Sequence, residues 1–185
     1  MILPKSFYNR EPDMVAKQLL GSIIVKKDDY TLKGMIVETE AYYGLSDPAS
    51  RARKGAKIMW MPAGITFIYM VHGNWLFNII TMPKGKPSGV LVRAVEPIYG
   101  IEIMKKNRGI EKIKNLTSGP GKFTKAFGID KRHNNIKVYN RKSPIFIEKG
   151  NFSGEIIESH RIGVKEDLPI PLRFYIKGNE FVSKK

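Results

Sequence analysis

The stretch G-M-I-V-E-T-E-A-Y-Y, which runs from Gly34 to Tyr43, is typical of a β-strand that carries two carboxylates. Side chains alternate between the two faces of a strand, so Glu38, Glu40 and Tyr42 are expected to point the same way. A carboxylate within an apolar strand must be paired or hydrogen-bonded, or its pKa must rise. The stretch therefore predicts acid chemistry beside an aromatic ring.

The two glutamates allow two interpretations. In the first, both pair with basic neighbours on a half-exposed strand face, which is the usual environment of charged side chains in strands. In the second, one glutamate is a general base and Tyr42 is a stacking surface. A base must be ionised at the working pH, so a nearby cation such as Arg93 would help to hold it charged.

The composition favours a nucleic-acid partner. The chain has 185 residues, with 32 Lys and Arg against 17 Asp and Glu, which gives a net charge of +15. This excess predicts a basic face for nucleic acid rather than for anionic lipid. The absence of cysteine excludes disulfides, iron–sulfur clusters and thiol catalysis. No stretch is long enough to cross a bilayer, and we expect a cytoplasmic, nucleoid-associated monomer.

Strand and helix signals follow one another without a repeat or a linker, so we expect one domain over residues 1–185. Pro12 begins a short helix that Gly21 ends, and two apolar runs joined by His72–Trp75 predict a β-hairpin. The remaining predictions are a long loop over residues 44–64, helices from Pro97 to Asn107 and from Ser118–Lys122 to Gly128, hairpin arms at Ile65–Val71 and Leu76–Thr81, and strands at Ser22–Lys26, Gly34–Tyr43, Val90–Glu96, Ile145–Glu148, Glu155–Glu158 and Phe174–Lys177. This order indicates an antiparallel, β-rich α+β domain with a few covering helices.

Two further segments are candidates for contact with DNA. The hairpin tip suits a simple turn, because its Gly-Asn pair tolerates positive φ, and this interpretation is favoured over His72 or Trp75 as a wedge between bases. The segment S-G-P-G-K at Ser118–Lys122 fails the Walker pattern. With Lys122 and Lys125 it is either a clamp for a DNA phosphate or a capped helix with solvated lysines. The three histidines lack metal-ligand spacing, so no metal site is expected.

Six short blocks carry a resemblance to a known family. They are I-V-E-T-E-A-Y at Ile36–Tyr42, D-P-A-S at Asp47–Ser50, V-L-V-R-A-V-E-P at Val90–Pro97, S-G-P-G-K at Ser118–Lys122, R-I-G-V at Arg161–Val164 and P-L-R-F-Y at Pro171–Tyr175. In their order and spacing they resemble the alkyladenine (3-methyladenine or methylpurine) DNA glycosylases. The resemblance covers most of the chain and implies a curved, barrel-like antiparallel sheet with a protruding β-hairpin.

The resemblance also implies an activity. The protein would flip a damaged purine, such as an alkylated base or hypoxanthine, out of duplex DNA and hydrolyse its N-glycosidic bond without a metal or cofactor. Glu40 would activate the attacking water, which Arg93 and the main-chain carbonyl of Ile162 would help to hold. Tyr42 and Tyr69 would sandwich the flipped base.

The remaining roles implied by the resemblance include two departures from the family pattern. Asn78 would screen purines by clashing with the amino group of normal guanine. Arg51 stands where the family usually has histidine, and a guanidinium group can stack on a base. His72 stands where the family usually has the tyrosine that fills the gap left in the duplex. The alternative is a DNA- or RNA-binding protein that keeps the fold and has lost activity through these two changes.

Overall fold

Four α-helices and eight β-strands form the main elements of residues 1–184, the part of the chain that the computed structural model describes. The helices are α1 (Lys5–Tyr8), α2 (Pro12–Leu19), α3 (Ile101–Arg108) and α4 (Pro120–Phe127). The strands are β1 (Ile23–Lys27), β2 (Thr31–Tyr42), β3 (Thr66–Val71), β4 (Asn74–Ile80), β5 (Gly89–Tyr99), β6 (Ile145–Glu148), β7 (Ile156–Ser159) and β8 (Arg173–Ile176). Within residues 1–184, no helix has the length and apolar character that crossing a membrane requires.

The strands form one curled antiparallel sheet in the order β3-β4-β5-β2-β1-β6. β5 pairs along one edge of β2, while β1 and then β8 pair along the other edge, and β7 extends from β8. The sheet therefore forks along β2, and β8 joins it opposite Glu38, Thr39 and Glu40. The predicted α+β fold on a curved antiparallel sheet is confirmed.

The pairing of β2 with β5 is irregular around Glu38. The register shifts between Ile36 and Glu38 and again between Glu38 and Thr39. Such irregularities bend a strand and re-aim its side chains. Glu38 and Glu40 both contact Arg93 of β5, so the predicted common direction of the two carboxylates is confirmed despite the irregularity.

Helix packing buries this part of β2. α2 packs against β2, and the hydroxyl of Thr39 donates a 2.9 Å hydrogen bond to the carbonyl of Ala16. Glu38 and Glu40 both have an exposed fraction of 0%. The interpretation that paired both glutamates with basic neighbours on a half-exposed face is confirmed for the pairing with Arg93 and Arg173. It is wrong about the exposure, because both faces of β2 are covered.

Aromatic packing holds α4 against the hairpin strand β4. Phe123 lies between Phe77 and Phe127, with ring centroids 5.9 Å and 5.0 Å away and edge-to-face geometry. All three rings are fully buried. This cluster fixes the base of the hairpin relative to the S-G-P-G-K segment, whose proline begins α4.

The helix predicted from Pro97 is wrong at its start. β5 continues to Tyr99, because Gly34 and Lys33 of β2 pair with Pro97 and Tyr99. Gly100, at φ 80°, then turns the chain into α3. Proline is a common first residue of a helix, but strand pairing overrides that local preference here.

Three other details differ from the sequence-based expectation. The hairpin tip is a two-residue turn of His72 (φ 48°) and Gly73 (φ 77°) rather than a four-residue tip. The predicted loop over residues 44–64 contains two short 3₁₀-helices, Arg51–Lys54 and Lys57–Trp60. The helix α1 was not predicted, since four residues are too few to show a periodic pattern.

Candidate active site

Glu40 is held by three donors. The main-chain N–H of Ile162 donates to Oε1 at 2.8 Å, and the Tyr42 hydroxyl donates to Oε2 at 2.7 Å. Arg93 Nη1 lies 3.2 Å from Oε1. Burial raises the pKa of Glu40 above its ordinary value, although the charge of Arg93 and the two hydrogen bonds oppose the shift. A buried carboxylate with a raised pKa is suited to accept a proton.

Glu38 lies beside Glu40 in a different environment. Its Oε1 accepts hydrogen bonds from Arg93 Nε at 3.0 Å and from Arg173 Nε at 2.7 Å. Ser183 adds its hydroxyl at 2.9 Å and its main-chain N–H at 2.7 Å. Glu38 is thus the anchor of a charged network that orients Arg93 toward Glu40.

A small pocket brings together the four side chains that the sequence predicted to bind a base. Tyr42, Arg51, Tyr69 and Asn78 line it together with Met59, Phe67 and Gly89. The guanidinium of Arg51 lies 4.4 Å from the ring centroid of Tyr69. The amide of Asn78 donates to the Phe67 carbonyl at 3.2 Å, which fixes its orientation in the pocket wall.

The hydroxyls of the two pocket tyrosines remain neutral. Burial raises the pKa of Tyr42, and the nearby Glu40 raises it further. Burial also raises the pKa of Tyr69, while the hydrogen bond and charge of Arg51 oppose that rise. Tyr42 therefore acts as a donor to Glu40 and links the carboxylate to the pocket.

A second charged network behind Tyr42 was missed by the sequence analysis. Arg161 makes two hydrogen bonds to Asp47, at 2.6 and 2.8 Å, and also binds Asp167 at 2.6 Å. Its guanidinium lies 4.6 Å from the ring centroid of Tyr42. Asp47 and Arg161 both belong to the six blocks quoted above, so their presence there was the available signal. Within residues 1–184, no three His, Asp or Glu side chains group as metal ligands.

A broad groove lies outside the pocket. It has a volume of about 620 Å³ and shares Arg51 and Tyr69 with the pocket as lining residues. Its other charged or polar lining residues are Arg53, Lys54, His72, Lys165 and Glu166. The groove is therefore mainly basic, and the exposed hairpin tip at His72 lies on its border.

The hairpin and α4 form one packed unit. The Thr124 hydroxyl donates to the main-chain carbonyl of Trp75 at 2.7 Å, which ties α4 to β4. Lys122 and Lys125 are exposed on α4. The two lysines that the sequence predicted to contact DNA are thus held rigidly relative to His72.

A buried carboxylate is linked to an aromatic pocket beside a basic groove, an arrangement compatible with proteins that act on nucleic acid. The family model described as methylpurine-DNA glycosylase matches residues 6–180. The chain belongs to this family, and the resemblance drawn from the six blocks is confirmed.

Relatives that align with nearly the full length of the chain support its membership of this family. One from Aeropyrum pernix is 39% identical over 99% of this chain and 93% of the relative. Another from Methanoculleus marisnigri is 36% identical over 100% of both chains. A third, from Oceanobacillus iheyensis, is 39% identical over 98% of this chain and 96% of the relative. All three are named "Putative 3-methyladenine DNA glycosylase".

Proposed function

We propose that the protein is a monofunctional base-excision-repair glycosylase that flips a damaged purine out of duplex DNA and hydrolyses its N-glycosidic bond. The name shared by its relatives supports the substrate class. The observation that carries the mechanism is the environment of Glu40, a fully buried carboxylate joined to the aromatic pocket through the Tyr42 hydroxyl. In this proposal residues 1–185 act as a single, monomeric, nucleoid-associated domain.

The chemical step needs only water and Glu40. The C1′–N9 bond breaks, and the purine leaves with the bonding electron pair. The oxygen of the water bonds to C1′, and a proton of that water passes to Glu40. The product in the DNA is an abasic site. The negative charge of Glu40 also stabilises the oxocarbenium-like sugar. Arg93 and Ile162 help to hold the water and keep the carboxylate ionised.

Base recognition rests on the pocket. Tyr42 and Tyr69 sandwich the flipped base, and Arg51 contacts it from the pocket wall. Asn78, whose amide is already bound to the Phe67 carbonyl, excludes the amino group of normal guanine. Flipping costs about a few kcal/mol and is easiest for a weakly paired base, which adds to the selection of damaged purines.

Duplex binding involves the basic groove and α4. His72 fills the gap that the flipped nucleotide leaves, while Lys122 and Lys125 contact backbone phosphates. Such phosphate contacts carry no sequence information. Replacing both lysines with glutamine is therefore expected to weaken binding of damaged and undamaged duplexes alike, and a loss confined to damaged duplexes would contradict this role.

The deciding experiment measures base release from duplexes that carry hypoxanthine or 7-methylguanine under single-turnover conditions. Glu40→Gln is expected to lower the excision rate by about 10²- to 10⁴-fold, the usual contribution of a general base. The matched control is Glu155→Gln, the same chemical change in an exposed ion pair with Lys177. It is expected to leave the rate unchanged.

Three results would overturn the proposal or a part of it. Full base release by Glu40→Gln would reject water activation by this residue. Binding of duplexes by the wild-type protein without release of any base would instead support the DNA- or RNA-binding alternative. A covalent adduct trapped by borohydride would show a lysine intermediate and reject the monofunctional mechanism.

A further inference from the structure

Two arginines stack on the two pocket tyrosines, and they differ in charge balance. Arg161 lies over Tyr42 and Arg51 lies over Tyr69, at 4.6 and 4.4 Å from the ring centroids. Arg161 is neutralised by Asp47 and Asp167, each with a contact at 2.6 Å. Arg51 forms no ion pair with any carboxylate of residues 1–184. Arg51 therefore brings an uncompensated positive charge to the pocket wall.

The other charges of the site do not cancel this cation. Glu40 is the nearest carboxylate to the pocket through Tyr42, but Arg93 already pairs with it. Glu38 is bound by Arg93 and Arg173. The four carboxylates of these networks, Glu38, Glu40, Asp47 and Asp167, equal in number the four arginines Arg51, Arg93, Arg161 and Arg173. None of these carboxylates forms an ion pair with Arg51, so the positive charge is local to the wall of the pocket at Tyr69.

The pocket that Arg51 lines is nearly filled by its own side chains. The cavity is only about 10 Å³, roughly the space of one water molecule. The guanidinium lies over Tyr69 at the distance that a stacked aromatic ring would take. A purine that stacks on the same side of Tyr69 as Arg51 must displace the guanidinium from that ring.

The displaced charge stays close to the base. Arg51 begins a short 3₁₀-helix whose cap is Ser50, since the Ser50 hydroxyl accepts a 3.2 Å hydrogen bond from the Ala52 N–H. Ala52 is itself buried, so the main chain at Arg51 is held in place. Only the side chain of Arg51 can move. Its guanidinium therefore stays within one side-chain length of the pocket mouth.

We infer that Arg51 is a specificity-determining residue that favours neutral damaged purines with an acceptor on the ring edge over purines that carry a positive charge. This inference rests on the proposed function. Guanidinium is a permanent cation that only donates hydrogen bonds. It can donate to the carbonyl oxygen of hypoxanthine, which is neutral. It repels a purine methylated at N3 or N7, because that alkylation leaves the ring of the nucleoside positively charged.

The test compares two duplexes that differ only in the lesion, hypoxanthine or 7-methylguanine, and measures the ratio of their single-turnover excision rates. 7-Methylguanine keeps the amino group that Asn78 opposes, so its rate is expected to be the lower one in the wild type. Because Asn78 is the same in every variant, a change in the ratio reports only the change at Arg51. Arg51→Gln keeps a polar side chain and removes the charge. It is expected to shift the ratio toward 7-methylguanine by at least about tenfold, because like charges about 4 Å apart at a protein surface repel strongly. Arg53→Gln is the matched control, since Arg53 is exposed in the same short helix and lines only the outer groove.

The control separates the pocket charge from general attraction to DNA. Arg53→Gln is expected to slow both duplexes equally and leave the ratio unchanged. An Arg51→Gln protein that melts like the wild type and keeps the wild-type ratio would overturn the inference. If that variant does not fold, Arg51→His above about pH 8, where histidine is neutral, provides the same comparison.

The outcomes also separate this inference from the proposed function. Excision that depends on Glu40 but has a ratio independent of Arg51 rejects only the role of Arg51. Absence of excision of either lesion by the wild-type protein rejects the proposed function, and the inference fails with it.

Discussion

Glu38 and Glu40 lie two residues apart on β2, are equally buried and share Arg93, yet their surroundings differ. Glu38 accepts hydrogen bonds from two arginines and from both the hydroxyl and the N–H of Ser183. Glu40 has one shared arginine, a tyrosine hydroxyl and a single main-chain N–H. Glu38 therefore has two arginines and a serine as partners, while Glu40 shares one arginine and keeps part of the penalty of burial, which raises its pKa.

The difference shows how one strand serves two purposes. Burial without full compensation raises the pKa of Glu40, so this carboxylate can take up a proton. The free-energy cost of burying Glu40 is offset by its neighbour Glu38, because Glu38 fixes Arg93 and Arg173 in the same network. In the proposed mechanism a structural carboxylate thus supports a reactive one, in agreement with the general trade-off between stability and activity.

The largest expected effect on stability comes from Glu38→Gln. This change leaves Arg173 and part of Arg93 without a charged partner in a buried site, and we expect the free energy of unfolding to fall by about 3–5 kcal/mol. Urea denaturation measures the change. Glu155→Gln, which removes the same charge from an exposed pair with Lys177, is expected to lose no more than about 1 kcal/mol.

The same variant also tests the division of roles. Under conditions in which Glu38→Gln is folded, its excision rate is expected to fall less than that of Glu40→Gln. If Glu38→Gln melts like the wild type and loses excision as completely as Glu40→Gln, the two roles have been assigned to the wrong residues.

A smaller effect is expected in the pH dependence of Glu40. Its pKa in the folded protein lies above the ordinary value of 4.5, so the folded state holds a proton that the unfolded state has released between those two values. The stability contributed by this proton is fully present below pH 4.5 and is lost as the pH rises through the folded pKa.

Activity and stability should therefore move in opposite directions across this window. Excision rises with pH because the base must be ionised, while stability relative to Glu40→Gln falls. Parallel rate and thermal-melting measurements from about pH 4 to 8 test both trends. A stability difference between the two proteins that does not change with pH would show that Glu40 does not titrate as proposed.

The contrast between the two glutamates also marks where sequence reasoning stops. The local pattern predicted β2, the common direction of both carboxylates and a role for Arg93. It could not separate Glu38 from Glu40, because the deciding partners are distant in sequence: Arg173 is 135 residues away and Ser183 is 145.

The same limit explains the other differences. Helix α4 was predicted well, since its proline and glycine signals are local. The end of β5 was not, because pairing with Lys33 and Gly34 carries that strand through Pro97. The pair of Asp47 with Arg161 spans 114 residues and was visible only as two separate blocks.

The smallest effect is expected from Ser183, which completes the environment of Glu38. Ser183→Ala removes the hydroxyl that donates to Glu38 at 2.9 Å and keeps the main-chain N–H that donates at 2.7 Å. The same hydroxyl accepts a long hydrogen bond of 3.5 Å from Arg93 Nη2, which is weak. The loss of the short hydrogen bond predicts a decrease of about 0.5–1.5 kcal/mol in the free energy of unfolding, measured in urea, and the long one adds little to it. Two arginines still neutralise Glu38, so Arg93 stays in place and the excision rate should remain close to that of the wild type. A large loss of excision at unchanged stability would instead mean that Ser183 positions Arg93 for the reaction, and that the two carboxylates work as one unit.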